Sequence, residues 1–462
     1  MIAQRPPRID SGAATLASLL DGPRHEQVVV TPSRRWTRGE LAEAADAAGS
    51  SLSGAGVAAG TVHAIDARPD VDTLISLLAL WRLGAVPALL HPGLTRPEWT
   101  TGIEALSGAG LGGEVPLGTA AILWTSGTSG RPRGVALGHE GLIASAEASA
   151  ERLSLGPDDV WLASLSPAHV GGLALLTRAL LLGSTLVLRG KTSPEEIPAL
   201  LRGSPTTPSV SHLSLVPTQL QRLLDAWGED APPRSFRLAL IGGAPTPGDL
   251  AERAFLTGWP VALTYGMTEM TSQVATAAPA EVVYDPESVG RPLRDVEIRI
   301  ARSGEIWTRG ATRALAYLSS EASLVDAEGW VHTGDLGELD ERGRLRVTGR
   351  RSDRILSGGV TVDANEVEAA LRGHPGVAAV TVVGIPDEEW GERVAAAVVR
   401  SDGSSAADGD TDNEEDFTGA LETWCRARLS VAKVPREWRF PESLPLSERG
   451  KVDRGLVKAL FG

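Results

Sequence analysis

The chain has 462 residues, 42% hydrophobic and 22% charged, with a net charge of −14 and a single cysteine, Cys425. This is the balance of a globular protein of two or three domains. The negative charge argues against general nucleic-acid or anionic-membrane binding, so an anionic substrate must be met by local positive charge. One cysteine permits no internal disulfide and suits a reducing compartment, the cytoplasm. The longest apolar run, Leu74 to Leu90, is interrupted by Arg82 and Pro87 and is too mixed to span a bilayer. The opening MIAQRPPRID has no signal-peptide core.

In chain order, Thr37-x-x-Glu40 is a capping box that opens a helix to about Leu52. Thr61 to Asp66 reads as a strand, and Val71 to Leu83 as a helix stopped by Gly84. From 116 to 290 strands and helices alternate. Strands are expected at Ala120–Trp124, Val160–Leu165, Thr185–Leu188, Leu213–Val216, Leu238–Ile241 and Val261–Thr264. Helices are expected at His139–Leu153 and after Pro217, where Leu220, Leu223, Leu224 and Trp227 recur at helical spacing. Such alternation predicts a helix-covered α/β sheet with ligands beyond its strand ends. Residues 291–350 turn β-rich, and 351–462 read as a smaller unit with a second capping box at Asp363-x-x-Glu366. The acidic run 401–417 reads as a disordered surface insertion.

One stretch carries chemistry on its face. TSGTSGRPRGV (125–135) follows a short apolar strand and combines glycines, hydroxyls and two arginines. Glycine lets backbone N–H groups approach an anion, and the hydroxyls and guanidinium groups add donors, so this is a phosphate cradle. It is not the common P-loop, because Pro132 and Gly134 break the helix that motif requires.

The loop resembles the signature of the adenylate-forming superfamily of acyl-CoA synthetases, adenylation domains and luciferases. Here it ends Pro132-Arg133-Gly134 where that signature usually has lysine, so the cation is kept as a planar fork. Five further motifs resemble the same superfamily, in order. The resemblance implies a large N-terminal domain (1–350) of helix-covered sheets with a β-rich subdomain, and a small mobile α+β C-terminal domain (351–462). It further implies that Thr125, Ser126, Gly127, Thr128, Ser129, Gly130 and Arg133 hold phosphate. IGGAP brings Gly242, Gly243, Ala244 and Pro245 to the adenine pocket. In TYGMTE, Tyr265 stacks on adenine beside Gly266, Thr268 meets the α-phosphate and Glu269 holds Mg²⁺. In GWVHTGD, Asp335 accepts both ribose hydroxyls, while His332 is structural. In GRRSDRILSGG, Arg350 contacts ribose, Ser352 is the hinge, and Gly358 and Gly359 line the thiol channel. In PLSERGKVDR, Lys451 is the catalytic lysine. It is one of only four lysines among 44 basic residues, which singles it out where a compact ammonium is needed.

The implied reaction joins a small carboxylic acid to the α-phosphate of ATP with Mg²⁺, then passes the acyl group to CoA. A carboxylate and a phosphate repel, so the barrier is electrostatic and positional. SLSPAHVGGLALLTR (164–178), SLVPTQLQRLL (214–224) and TYGMTEMTSQVAT (264–276) look most like the branch that activates o-succinylbenzoate for menaquinone synthesis. That acid carries a spectator carboxylate. Arg178 is the expected cation for it, His169 the expected pocket wall, and Ser272 and Gln273 the expected hydrogen-bonding groups. The alternatives are another aryl- or fatty-acyl-CoA ligase, a stand-alone adenylation enzyme loading a carrier protein, or a non-catalytic nucleotide binder. No nucleic-acid or membrane partner is expected, and a homodimer is admitted.

Overall fold

The computed structural model describes residues 15–92, 115–126, 132–190, 192–193, 195–318, 323–357, 360–387, 390–401, 411–446 and 452–462. Two compact units result. One comprises 1–299, 307–332 and 339–346, the other 300–306, 333–338 and 347–462.

Local signals set the helices of the first unit. Thr37 accepts the Glu40 N–H and the Glu40 carboxylate accepts the Thr37 N–H at 2.8 Å, so the capping box opens the helix Arg38–Gly54. Asp70 accepts the Thr73 N–H to open Val71–Leu83, and Gly84 closes it in the left-handed region. Along Val71–Leu83 the leucines at 74, 77 and 78 are wholly buried, as their spacing demands.

The first unit contains a nine-stranded sheet. Its central six strands are parallel, in the order Val261–Met267, Leu238–Ile241, His212–Leu215, Val160–Leu162, Thr185–Val187, Gln27–Val30. Antiparallel strands cover both edges, Ser272–Ala277 with Arg291–Pro292 on one side and Arg35–Thr37 on the other. Val160–Leu162 and Leu238–Ile241 are short continuous apolar runs because helices cover the sheet. A five-stranded sheet runs Ala316–Leu318, Pro132–Gly138, Thr119–Ser126, Val86–Leu90, Val62–Asp66. A further four-stranded sheet has the order Val296–Ile300, Glu305–Gly310, Val331–Leu339, Leu345–Arg350. Among the described residues, no helix is long and apolar enough to cross a membrane.

In the second unit the long antiparallel pair Val377–Asp387 and Gly391–Arg400 carries Val382, Val394, Val398 and the helix Ala364–Arg372 around one core. Two expectations need correction here. Asp363 does cap the helix, accepting the Asn365 N–H, but Glu366 does not close a box: both its oxygens take Lys433 Nζ at 2.6 Å. An ammonium outcompetes a neutral N–H for a carboxylate. The acidic stretch is also not disordered throughout. Residues 402–410 lie outside the described residues, but Thr411–Arg426 is a helix. Phe417, Leu421 and Cys425 share one face at a spacing of four; Leu421 and Cys425 are fully buried and Phe417 packs on Phe440. Phe417 opens an apolar stripe that the acidic residues before it mask. Burial pushes the Cys425 thiol up to about 11, so it stays protonated and serves the core.

Candidate active site

The carboxyl ends of the six parallel strands open onto the loops after Leu162, Leu215, Ile241 and Met267. Gly242 follows the strand Leu238–Ile241 with no side chain because a Cβ would meet Thr264 Cγ2 at 2.6 Å. Its neighbour Gly243 has φ +83°, and Ala244 and Pro245 complete the turn before the helix Gly248–Leu256. On the adjacent strand the register shifts between Tyr265 and Gly266, and a Cβ on Gly266 would lie 2.0 Å from Ser272 O. Thr268–Met270 then makes a single 3₁₀ turn, and Thr271 and Ser272 return with φ of 50° and 98°. Two successive non-glycine residues in the positive-φ region are held only where surrounding structure over-determines them. The turn that follows TYGMTE is such a place, and Tyr265, Thr268 and Glu269 stand half-buried just before it.

Glu269 has a partner that motif reading missed. Tyr317 donates to Glu269 Oε1 at 3.0 Å, and the Ala314 N–H donates to the Glu269 carbonyl at 2.9 Å. Burial first, then the Glu269 charge, raise the Tyr317 hydroxyl well above its ordinary range, so it remains a neutral donor. The Arg133 guanidinium stands 5.7 Å from the centre of the Tyr317 ring. The strand Ala316–Leu318 therefore gathers Glu269 and Arg133 around one tyrosine. The signal was faint: a lone tyrosine 48 residues from its glutamate. One carboxylate oxygen held by a neutral donor leaves the other oxygen for a hard cation, so this donor set fits Mg²⁺. In Tyr317→Phe, the half-saturating Mg²⁺ concentration at this site is expected to rise about tenfold, the low end for loss of an outer partner of a metal ligand. A magnesium titration at fixed ATP reads it, and an unchanged midpoint would remove Tyr317 from this role.

The Gly-rich stretch is flanked by a β-hairpin. Thr119–Ser126 and Pro132–Gly138 are antiparallel, with Thr125 opposite Arg133 and Ser126 opposite Pro132. The return element is a strand, not the helix of a P-loop. Gly127, Thr128, Ser129 and Gly130 lie outside the described residues.

The four residues expected around the acid separate. His169 stands at the carboxyl end of the sheet as the N-cap of the helix Val170–Leu182, its ring 5.1 Å from that of His91. Arg178 lies nine residues further along that helix, about 13 Å at 1.5 Å per residue. It is 3% exposed, over the Trp161 ring at 4.8 Å, and its buried Nε has no hydrogen-bond partner among the described residues. Its counter-charge is Asp159, which is fully buried just before the strand Val160–Leu162. Asp159 is also met by Arg237 at 3.1 Å and by His212 Nε2 at 3.6 Å. Arg237 precedes its strand and His212 begins another, so the cluster sits at the amino ends of the strands. Arg178 thus belongs to a buried charge cluster at the opposite end of the strands from His169. Burial pulls its guanidinium down to about 10, which still leaves it charged at neutral pH. Gln273 is likewise withdrawn from the acid. It is 2% exposed, accepts from Ser149 and donates to Thr276 at 3.1 Å and to Thr264 at 3.4 Å. A buried amide must satisfy its hydrogen bonds locally, and these partners do so. Ser272, one residue earlier on the strand, remains half-buried beside the TYGMTE loop.

His212 makes this cluster pH-sensitive. Burial, then the charges of Arg237 and Arg178, push its imidazole down to about 3. An unfolded histidine takes a proton near pH 6.5; the folded one refuses it until about pH 3. Stability contributed by neutral His212 is therefore complete above pH 6.5 and falls as pH drops through that window. Melting-temperature scans should show His212→Gln flattening the loss between pH 6.5 and 4.

The second unit brings Asp335 and Arg350 together, with Arg350 Nε 3.0 Å from Asp335 Oδ1. Ser352 falls in the short turn Arg351–Asp353. Gly358, Gly359 and Lys451 lie outside the described residues. His332, expected to be structural, stacks on Trp307 at 4.1 Å and pairs with Asp326 at 2.9 Å.

The comparisons with known proteins match this geometry. The family model "AMP-binding enzyme" matches residues 20–107 and 115–318, and "AMP-binding enzyme C-terminal domain" matches 366–451. The chain is 38% identical over 350 residues to the 2-succinylbenzoate–CoA ligase of Bacillus mycoides (strain KBAB4), covering 73% of this chain and 69% of that one. It superimposes on o-succinylbenzoate CoA synthetase (MenE) from Bacillus subtilis in complex with the acyl-adenylate intermediate OSB-AMP with a TM-score of 0.82 at 29% identity, over 96% and 97% of the two chains. ATP-bound MatB from Rhodopseudomonas palustris gives a TM-score of 0.81 at 25% identity, over 97% and 98%. The motifs, the strand-end loops and these matches have one reading: the chain belongs to the AMP-binding enzyme family.

Proposed function

We propose that the protein is an AMP-forming acid–CoA ligase that activates 2-succinylbenzoate as its acyl-adenylate and transfers the acyl group to CoA, a step of menaquinone biosynthesis. The observation that carries this reading is the similarity along nearly the whole chain to a synthetase solved with OSB-AMP. Fold alone does not choose the acid, since function lives in the site and not in the fold. The 38% identity to a 2-succinylbenzoate–CoA ligase favours this one.

In this reading the N-terminal domain, 1–350, binds ATP and the acid, and the C-terminal domain, 351–462, brings Lys451 and the Gly358-Gly359 loop. The acid's carboxylate attacks the α-phosphorus of ATP, the bond to pyrophosphate breaks, and an acyl-adenylate forms. Mg²⁺, when bound, neutralises phosphate charge. Glu269 is its ligand and Tyr317 orients Glu269. Arg133 and the Gly-rich loop hold phosphate, and Thr268 meets the α-phosphate. Tyr265 and the 242–245 turn hold adenine, and Asp335, steadied by Arg350, holds ribose. The thiol of CoA then attacks the acyl carbon and AMP leaves, so no enzyme nucleophile is required. His169, with His91 beside it, and Ser272 face the acid. The enzyme works in the cytoplasm, and a homodimer is the assembly we would test by light scattering.

The test is AMP release with ATP, Mg²⁺ and CoA while the acid is varied. Turnover on 2-succinylbenzoate, with benzoate and a medium-chain fatty acid inert, is the expected result. Turnover on the latter two alone would retain adenylation and discard the assignment of the acid.

A further inference from the structure

We infer that Glu305 and Thr333 are positioning residues that pre-shape the turn 333–335, so that the Asp335 carboxylate is presented to the ribose. The inference rests on the reading of Asp335 as the ribose acceptor.

Glu305 is 5% exposed, yet it has no place in the nucleotide motifs. A carboxylate held in that position must be engaged on both oxygens. Oε1 accepts the Gly334 N–H at 3.0 Å and Oε2 takes Arg351 at 3.3 Å. The Gly334 N–H is the donor immediately before Asp335, and Gly334 is held at φ +72°. From the same strand, the Ile306 carbonyl accepts the Thr333 hydroxyl at 2.7 Å, and Thr333 Oγ1 in turn accepts the Asp335 N–H at 3.0 Å. Thr333 is 6% exposed. The backbone N–H groups of Gly334 and Asp335 thus both donate to side chains. The strand around Glu305 dictates where the Asp335 carboxylate begins, while Arg350 fixes one of its oxygens from outside. Arg351 reaches Glu305 from the residue before Ser352, so the turn is tied to the segment read as the hinge.

A group acting through Asp335 should affect a nucleotide in proportion to its ribose hydroxyls. A group that merely supports the fold should affect all nucleotides alike. The experiment measures kcat/KM for ATP and for 2′-deoxyATP in the full chain with 2-succinylbenzoate and CoA. Asp335→Asn is the reference and is expected to lower the preference for ATP about tenfold. Glu305→Ala should lower it by a similar factor. Glu305→Gln, whose carbonyl can still accept from Gly334, should restore most of it. Thr333→Val is nearly isosteric, preserves the fold if Glu305→Ala does not, and should also lower the preference. Glu305→Ala and Thr333→Val adding nothing in an Asp335→Asn background would complete the case. Equal losses on both nucleotides in the single variants, or a glutamine variant as impaired as the alanine one, would overturn the positioning role. An Asp335→Asn enzyme with unaltered preference would overturn the ribose reading itself, and the inference with it.

Discussion

Lys451→Ala is expected to lower acyl-adenylate formation by about 10²- to 10³-fold, the usual loss when one preorganised charge donor is removed from a developing anion. Two anions must meet in this step, and the chain is acidic overall, with a net charge of −14. Local cations therefore carry a large share of the barrier lowering. Arg133 and Lys451 are the two cations read at the reacting phosphate, and only Lys451 offers a compact ammonium able to serve carboxylate and phosphate oxygens together. The loss should be confined to the first half-reaction. Thioester formation from CoA and preformed acyl-adenylate involves a leaving AMP and no attacking carboxylate, so it should remain within a few-fold of wild type. Pyrophosphate exchange measures the first step and AMP release from synthetic adenylate the second. Equal loss in both would show that Lys451 supports structure rather than adenylation.

Arg178→Ala is expected to act on stability, not on the acid. Arg178 neighbours the fully buried Asp159 electrostatically without a direct ion-pair contact, so its removal strips only part of that carboxylate's compensation, less than the roughly 3–5 kcal/mol of breaking a buried pair. Asp159 keeps Arg237 at 3.1 Å, so a loss below that range, about 2 kcal/mol, is expected. Loss of the guanidinium also removes its packing over Trp161. The measurement pairs thermal melting with the KM for 2-succinylbenzoate. A melting point lowered by several degrees with KM unchanged in the folded fraction is the expected outcome. A KM raised tenfold with melting unchanged would return Arg178 to the acid. Arg178→Ala combined with Asp159→Asn, which removes that carboxylate's charge, should recover part of the stability.

Much of this protein was legible in one dimension because the relevant forces act over a few residues. Thr37 with Glu40, Asp70, and Gly84 set helix ends through backbone groups within one turn. The apolar runs at Leu238–Ile241 and Val160–Leu162 announced strands of a covered parallel sheet. Glycines, hydroxyls, a carboxylate and one scarce lysine, in order, carried the adenylate-forming chemistry. The errors have a common origin. Arg178 and Gln273 were expected at the acid from the resemblance of their stretches and, for Arg178, from the need for a cation opposite the spectator carboxylate; neither signal reports where a side chain is buried. Helix pitch carries Arg178 to the amino ends of the strands, and the alternation of a strand turns Gln273 inward to Ser149, 124 residues away. The acidic run hid the stripe that begins at Phe417, because composition averages over the one face that matters.

Chain order alone thus determined which chemistry is present, since motif and cap are local patterns of residue types. Only the tertiary structure decided which charges are available for it. A buried ion must find its partner wherever the fold brings one: Asp159 for Arg178, the Gly334 N–H and Arg351 for Glu305. Tyr317 reaches Glu269 through pairing of the strands Ala316–Leu318 and Pro132–Gly138. Desolvation makes such pairings obligatory, and sequence separation makes them invisible until the chain is folded.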